Sequence, residues 1–256
     1  MTDDNHLSTV TPIPLPTDMA AAVAAFVSDH HYPTFHPRAV LFDMDGVLFD
    51  SMPNHNVSWM QVSDAYALGM RPNEAFLHEG RTGASTIDLL MQRSHGRHAT
   101  EEEKREIYAE KCRLFSLLPT AQKMAGADAV LAAVKACSLN ILVVTGSGMA
   151  SLLDRLNTGY PGFFSPDRVV SSKDVRHGKP APDPYLLGLK KAGVQPWEAI
   201  VIENAPLGVQ SATAAGIFTI AVNTGPLAPE LLAEAGANLV FPSMTALAEA
   251  DVFGMF

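Results

Sequence analysis

The stretch Ala39–Asp50, AVLFDMDGVLFD, constrains this chain more than any other. Ala39, Val40, Leu41 and Phe42 read as a strand buried on both faces, the kind found in parallel sheets. Asp43 and Asp45 follow at once, one residue apart, with Gly46 behind them. Two acids at the end of a buried strand are costly unless a cation meets them. In open α/β sheets ligands bind at the carboxyl ends of the strands. The stretch therefore points to a metal-dependent site centred on Asp43.

The remaining sequence says what kind of molecule surrounds that strand. At 256 residues the chain has length for one large or two modest domains and a sizeable core. Its net charge of −9 argues against a nucleic-acid backbone as partner, which calls for clustered Lys and Arg, yet leaves room for a small anionic substrate. No apolar run approaches the roughly 20 residues of a membrane span. The start, MTDDNHLSTV, lacks the basic-then-apolar order of a signal peptide. Cys112 and Cys137 stand far apart and read as packing residues in a reducing, cytoplasmic setting. The expected working form is a monomer.

Residues 1–16 read as a loose lead-in. Thr17 or Asp18 is placed to cap a helix through about His30, with Met19, Val23, Phe26 and Val27 on its packed face. His30, His31 and His36 fall near one another. A ligand cluster is the sharper reading of them, a polar helix end and loop the simpler one. Pro33 and Pro37 end this helix before a strand at 38–43. Residues 53–120 then read as helical throughout. Pro53 opens a helix that runs to Gly69, a short one follows from Pro72 to His78, and Ser85 caps another through about Arg93. Thr100 with Glu103 makes a capping box for a long helix through Leu118.

From Gly126 strands and helices alternate. Helices are expected at 127–137, 149–157, 183–192, 206–215, 229–235 and 243–250. Strands are expected at 140–144, 168–171, 199–202, 217–222 and 238–241. Alternation of this kind implies right-handed crossovers in a doubly wound parallel α/β sheet. Residues 1–52 and 121–256 would form that core, with 1–37 as an N-terminal extension carrying one helix and 53–120 as an inserted all-helical domain. Phe253 and Phe256 close the chain, either packed or loose.

Chemistry-bearing residues gather at the expected strand ends. Beside Asp43 and Asp45 stand Thr145, Gly146 and Ser147, then Lys179 in the proline-stiffened HGKPAPDP, then Glu203 and Asn204. This set suits phosphoryl transfer. A carboxylate can act as nucleophile, and a hard cation with oxygen ligands such as Mg²⁺ can bridge it to phosphate. A hydroxyl and N–H groups in a Gly-rich turn can hold phosphate oxygens, and a lysine offsets developing charge. A second acid can protonate the leaving oxygen. Each member also has a plainer reading alone: a turn for the acids, a helix start for Thr145 and Ser147, a surface lysine for Lys179, a helix cap for Glu203 and Asn204.

Four segments, FDMDGVLFDS (42–51), VVTGS (143–147), GKPAPDPY (178–185) and VIENAPLGVQSATAAG (201–216), resemble the haloacid-dehalogenase-like (HAD) superfamily in its branch with a helical cap after the first strand. The resemblance implies Asp43 as nucleophile and magnesium ligand. It implies Asp45 as general acid/base, with its main-chain carbonyl also on the metal. Thr145, Gly146 and Ser147 would bind the transferring phosphoryl group and Lys179 would neutralise it. Glu203 and Asn204 would complete the metal shell, Asn204 standing where the family usually has Asp. An acid at 45 separates phosphate chemistry from dehalogenation, because a halide leaves without a proton. The cap loop HEGRTGAST (78–86) would reach the substrate. The β-phosphoglucomutases of the family carry an arginine three residues after a glycine there, whereas three after Gly80 is Gly83 and the nearest candidate is Arg81.

The sequence therefore favours a Mg²⁺-dependent phosphatase acting on a small phosphorylated metabolite through an aspartyl-phosphate. A phosphosugar mutase is the first alternative, and a non-catalytic phosphate-binding protein on the same fold, to which Asn204 lends weight, is another. A phosphonatase would need a cap lysine, for which Lys111 is the candidate. His55 and Trp59 are weaker candidates for the substrate side.

Overall fold

The computed structural model describes residues 19–149 and 152–255. The lead-in at 1–18, with its capping candidates Thr17 and Asp18, and Phe256 lie outside the described residues. Parallel strands β1 (Ala39–Phe42), β2 (Asn140–Val144), β3 (Val169–Val170), β4 (Ala199–Glu203), β5 (Phe218–Val222) and β6 (Leu239–Phe241) form one sheet in the order β3-β2-β1-β4-β5-β6. The order runs outward in both directions from β1, so a crevice opens at its carboxyl end. Phe42 is level with Val143 on one side and Ile202 on the other. Asp43, Thr145 and Glu203 therefore emerge along one edge.

Helix α1 (Met19–His30) precedes β1, and α2 (Met52–Ala65), α3 (Glu74–Leu77), α4 (Gly83–His95) and α5 (Glu101–Ser116) lie between β1 and β2. The rest are α6 (Ala127–Ala136), α7 (Leu152–Gly159), α8 (Asp183–Ala192), α9 (Pro206–Ala214), α10 (Glu230–Glu234) and α11 (Met244–Glu249). Alternate residues of β1 serve opposite layers, as strand geometry requires. Val40 and Phe42 pack with Phe26 of α1, Val130 of α6, Leu156 of α7 and Leu247 of α11. Ala39 and Leu41 pack with Tyr185 and Leu189 of α8 and Ala212 of α9. Met19 and Phe26 are buried and Val23 and Val27 pack beside them, the face expected of α1. Phe253 joins the same cluster. His30 bonds Phe26 O through Nδ1 and stacks on Tyr32, the simpler of its two readings.

The inserted helices build a separate apolar core from Trp59, Val62, Leu68, Ile87, Leu90 and Ile107, among others. Helix α5 opens on the expected capping box of Thr100 and Glu103. Two of the boundaries that differ from expectation have a clear cause in the hydrogen bonds. Helix α2 stops at Ala65 rather than near Gly69, because Ser63 O takes the Leu68 amide and Ser63 Oγ takes the Met70 amide, folding the chain back early. Helix α4 is capped by Thr82, whose side chain accepts from Ser85 N, so the expected cap Ser85 sits inside the first turn.

The chain leaves and re-enters the core side by side. The Asp50 amide donates to Gln122 O (3.0 Å), the Met124 amide to Leu48 O (2.9 Å), and Asn54 Nδ2 to Pro119 O (2.7 Å). A bridge between Phe49 and Lys123 makes this pairing antiparallel. Cys112 and Cys137 are both half-buried, and the Cys137 thiol faces Phe253 O.

Candidate active site

The ladder of β1 places the first acid. The Asp43 amide donates to Ile202 O of β4 at 2.9 Å, so this residue continues the strand. The chain must then turn under a neighbouring loop. Gly46 does this at φ +83, and a Cβ there would fall 2.0 Å from Asn204 Nδ2. Only glycine fits both the backbone and the space. Thr224 Oγ1 fastens the turn by donating to Gly46 O at 2.6 Å.

Lys179 is 2% exposed and spends its ammonium on three acceptors: Asp43 Oδ1 at 2.5 Å, Glu203 Oε1 at 2.6 Å and Val144 O at 3.0 Å. Burial alone would discharge it, but Asp43 and Glu203 hold its affinity for the proton above the ordinary lysine value. Glu203 Oε1 also accepts from Tyr185 OH (2.9 Å), and Oε2 from the amides of Asn204 (2.9 Å) and Ala205 (3.2 Å). Both carboxylate oxygens of Glu203 are thus committed within the protein. Burial pushes the Asp43 carboxyl up to about 8 against the pull of Lys179, with Glu203 and Asp45 adding to the rise.

Asp45 has a different environment. Its Oδ1 accepts from Ser51 Oγ at 2.5 Å and Arg155 Nη1 at 3.2 Å, and His55 Nε2 stands 3.4 Å away, close enough for an ion pair. Burial opposes its charge, yet His55, Arg155 and Ser51 hold the carboxyl well below the usual carboxylate range. His55 Nδ1 meets Lys111 Nζ at 2.7 Å. Burial, then Lys111, keeps the imidazole below its ordinary pKa, and burial brings Lys111 down to about 8. Lys111 also lies 5.6 Å from the centre of the Trp59 ring and 4.9 Å from that of Phe115.

The β2 end brings its residues to the same place. The Thr145 amide donates to Val170 O at 2.9 Å, and Thr145 Oγ1 accepts from Ser147 N at 3.0 Å, which leaves the hydroxyl hydrogen to donate. Asp43, Asp45, Thr145, Gly146 and Ser147 line one cavity. The helical insertion supplies the opposite wall with His55, Trp59, Arg81 and Lys111. Arg81 Nη1 reaches Ser85 Oγ at 3.4 Å, while its buried Nε has no partner. The three strand ends, Lys179 and Arg81 are therefore all brought together as the sequence suggested.

The loop at 79–82 is seated directly on the core. A Cβ on Gly146 would lie 2.5 Å from Gly80 O, one on Gly80 2.9 Å from Lys179 Cδ, and one on Gly178 2.6 Å from Thr82 Cγ2. Gly146→Ala is expected to hold the loop off the core, lowering kcat/KM by about 100-fold through lost positioning. Its denaturation midpoint should stay near that of the parent. Steady-state kinetics beside urea unfolding check this; parental kinetics would show that the seated loop is not needed.

Sequence reasoning missed four contributors. Ser51 and Tyr185 lay inside the quoted segments without a role, and Arg155 carried no signal. Glu79 is 8% exposed and accepts from Asn204 Nδ2 at 2.9 Å. Burial, then the charge of Asp43, pushes its carboxyl well above the ordinary glutamate value. Asn204 Oδ1 is buried without a partner.

That orphaned oxygen tests whether a metal suits the site. Among the described residues no three His, Cys, Asp or Glu side chains could hold a metal by themselves. A mixed set of hard oxygens, namely the Asn204 amide oxygen, the Asp43 carboxylate and the Asp45 main-chain carbonyl, is of the kind Mg²⁺ takes. A cation would satisfy Asn204 Oδ1 and relieve the crowding of acids, so the residues fit.

Known proteins resemble this chain across most of its length. The model of haloacid dehalogenase-like hydrolases matches residues 40–222, from β1 through β5. Hexitol phosphatase A of Escherichia coli (strain K12) is 32% identical over 195 residues, covering 76% of this chain and 87% of that protein. A phosphorylated carbohydrates phosphatase of Thermotoga maritima is 31% identical over 187 residues, covering 72% and 83%. A solved Bacteroides vulgatus structure, provisionally described as a beta-phosphoglucomutase, superposes with a TM-score of 0.86 at 52% identity, covering 90% of this chain and 93% of that one. The doubly wound sheet with its helical insertion is thus the fold of a hydrolase class, and the chain belongs to the haloacid dehalogenase-like hydrolases. Within that family it is a phosphohydrolase.

Proposed function

We propose that this enzyme is a Mg²⁺-dependent phosphatase that hydrolyses a small sugar or polyol phosphomonoester through an aspartyl-phosphate on Asp43. The observation that carries the reading is the buried contact of Asp43 with Lys179 at 2.5 Å, on the floor of a cavity walled by Thr145, Gly146 and the helical insertion. The names of the curated relatives, phosphatases of hexitol and carbohydrate phosphates, support the substrate class.

In this reading an Asp43 carboxylate oxygen attacks phosphorus as the bond to the leaving oxygen breaks. The Thr145 hydroxyl and the turn at Gly146–Ser147 hold the non-bridging oxygens, and Lys179 offsets their charge. Asp45 gives a proton to the leaving oxygen. In the second half it takes one from water as the water oxygen bonds to phosphorus and the Asp43–phosphorus bond breaks. Ser51 and Arg155 favour the ionised form of Asp45 that this second half uses. Asp43, the Asp45 carbonyl and Asn204 would hold Mg²⁺, with Glu203 one step removed because its oxygens are engaged. When bound, the metal would supply positive charge to offset that of the phosphate.

Arg81 favours a second reading. Its buried Nε lacks a partner, and Arg81 and Lys111 line the far wall of the cavity, where a second anionic group would sit in a mutase. One experiment separates the two. With Mg²⁺, hexitol phosphates and β-glucose 1-phosphate are each expected to release inorganic phosphate. Formation of glucose 6-phosphate without phosphate release would overturn the phosphatase in favour of the mutase. No turnover on a broad panel by folded protein would leave the non-catalytic alternative.

A further inference from the structure

Acids outnumber the cations beside them at the Asp43 edge. Asp43, Asp45 and Glu203 come from the core and Glu79 from the insertion, all buried. Lys179 touches Asp43 and Glu203, Arg155 touches Asp45 and His55 stands 3.4 Å from it, so even with His55 protonated three cations face four acids. Lys111, the other buried cation here, is directed at His55 rather than at an acid. Asn204 lies between the two groups of acids. Its Nδ2 is bonded to Glu79 Oε1 at 2.9 Å, its Oδ1 has no partner, and it is 6% exposed. A Cβ on Gly46 would lie 3.0 Å from Glu79 Oε1, so the carboxylate reaches the turn that carries Asp45. An amide at 204 brings an oxygen but no charge. The carboxylate beside it arrives from a segment 125 residues earlier.

We propose that Glu79 supplies, from the helical insertion, the negative charge that Asn204 leaves out of the metal site, so that metal binding and seating of the insertion are one event. This rests on the Mg²⁺-dependent reading of the same site. Closed protein would then bind the cation more tightly than open protein, and the cation alone, without substrate, would favour closure. Glu79 acts here directly on the ion or through a water; in either case the ion needs its charge.

The test uses the full chain and Mg²⁺ or Mn²⁺ alone. Metal affinity is measured by calorimetry or by Mn²⁺ paramagnetic resonance, and closure by the rate of proteolysis at the exposed connection around 117–123 with metal and with chelator. Glu79→Gln is expected to weaken metal binding about tenfold or more and to abolish the protection that metal gives. In the double variant Glu79→Gln with Asn204→Asp the charge returns from the core. Metal affinity should recover, while the metal-dependent protection should not. Parental affinity in Glu79→Gln would overturn the proposal. So would weakened binding that the double variant fails to restore, since that would assign Glu79 a packing role only. Absence of metal binding by the parent chain would instead overturn the underlying Mg²⁺ reading.

Discussion

Asp43→Asn is expected to lower turnover of an aryl phosphate by about four orders of magnitude, the scale on which loss of a nucleophile acts. The substitution keeps size and shape, and the Asn oxygen can still accept from Lys179. The folded state should therefore survive, with a melting temperature close to the parent's. What is lost is an oxygen able to bond phosphorus and then release it. Initial rates at saturating Mg²⁺, measured beside thermal unfolding, check the prediction. Rates within tenfold of the parent would remove Asp43 from the nucleophile role.

Lys179→Met should damage both stability and activity. The thioether fills much of the same space but offers no donor to Asp43, Val144 O or Glu203. Removing one partner from a buried ion pair costs about 3–5 kcal/mol, because the remaining charge is stranded. Here two carboxylates are stranded. Loss of the positive group facing phosphate should add a drop of about 100- to 1000-fold in kcat. Urea unfolding and phosphate release measure the two effects separately. Lys179→Arg is not a rescue, since at 2% exposure there is no room for a planar guanidinium. A stable, active Lys179→Met protein would refute the ion-pair argument entirely.

Much of this was legible in the sequence because it is local. Apolar runs of four or five residues ending in Asp43, Thr145 and Glu203 announce buried strands whose last residue meets the crevice, and the alternation with helices implies parallel pairing. Thr100 and Glu103 signal their helix start by spacing alone. Thr82 and Ser85 show the limit of such signals. Either can cap, and only the position of Ser85 N against the Thr82 oxygen decides. The contacts that tune the site are of another kind. Arg155 meets Asp45 across 110 residues and Asn204 meets Glu79 across 125. No periodicity encodes such pairs: the first exists only once α7 packs beside the β1 end, the second only once the insertion lies on the sheet. Asn204 did stand out as a departure from the family, but its consequence lay in a loop read only for its arginine.

The paired connections Leu48–Asn54 and Pro119–Met124 have a mechanical meaning. Two chains laced together act as a single axle, so the insertion has one easy rotation and resists sliding or twisting. Ser51 rides on that axle while bonded to Asp45. Swinging the insertion outward to admit a substrate or release a product would therefore disturb the hydrogen bond that favours ionised Asp45. In the proposed aspartyl-phosphate mechanism, entry of bulk water and retuning of Asp45 become the same movement, which would keep the phosphorylated intermediate from meeting water before the leaving alcohol has gone.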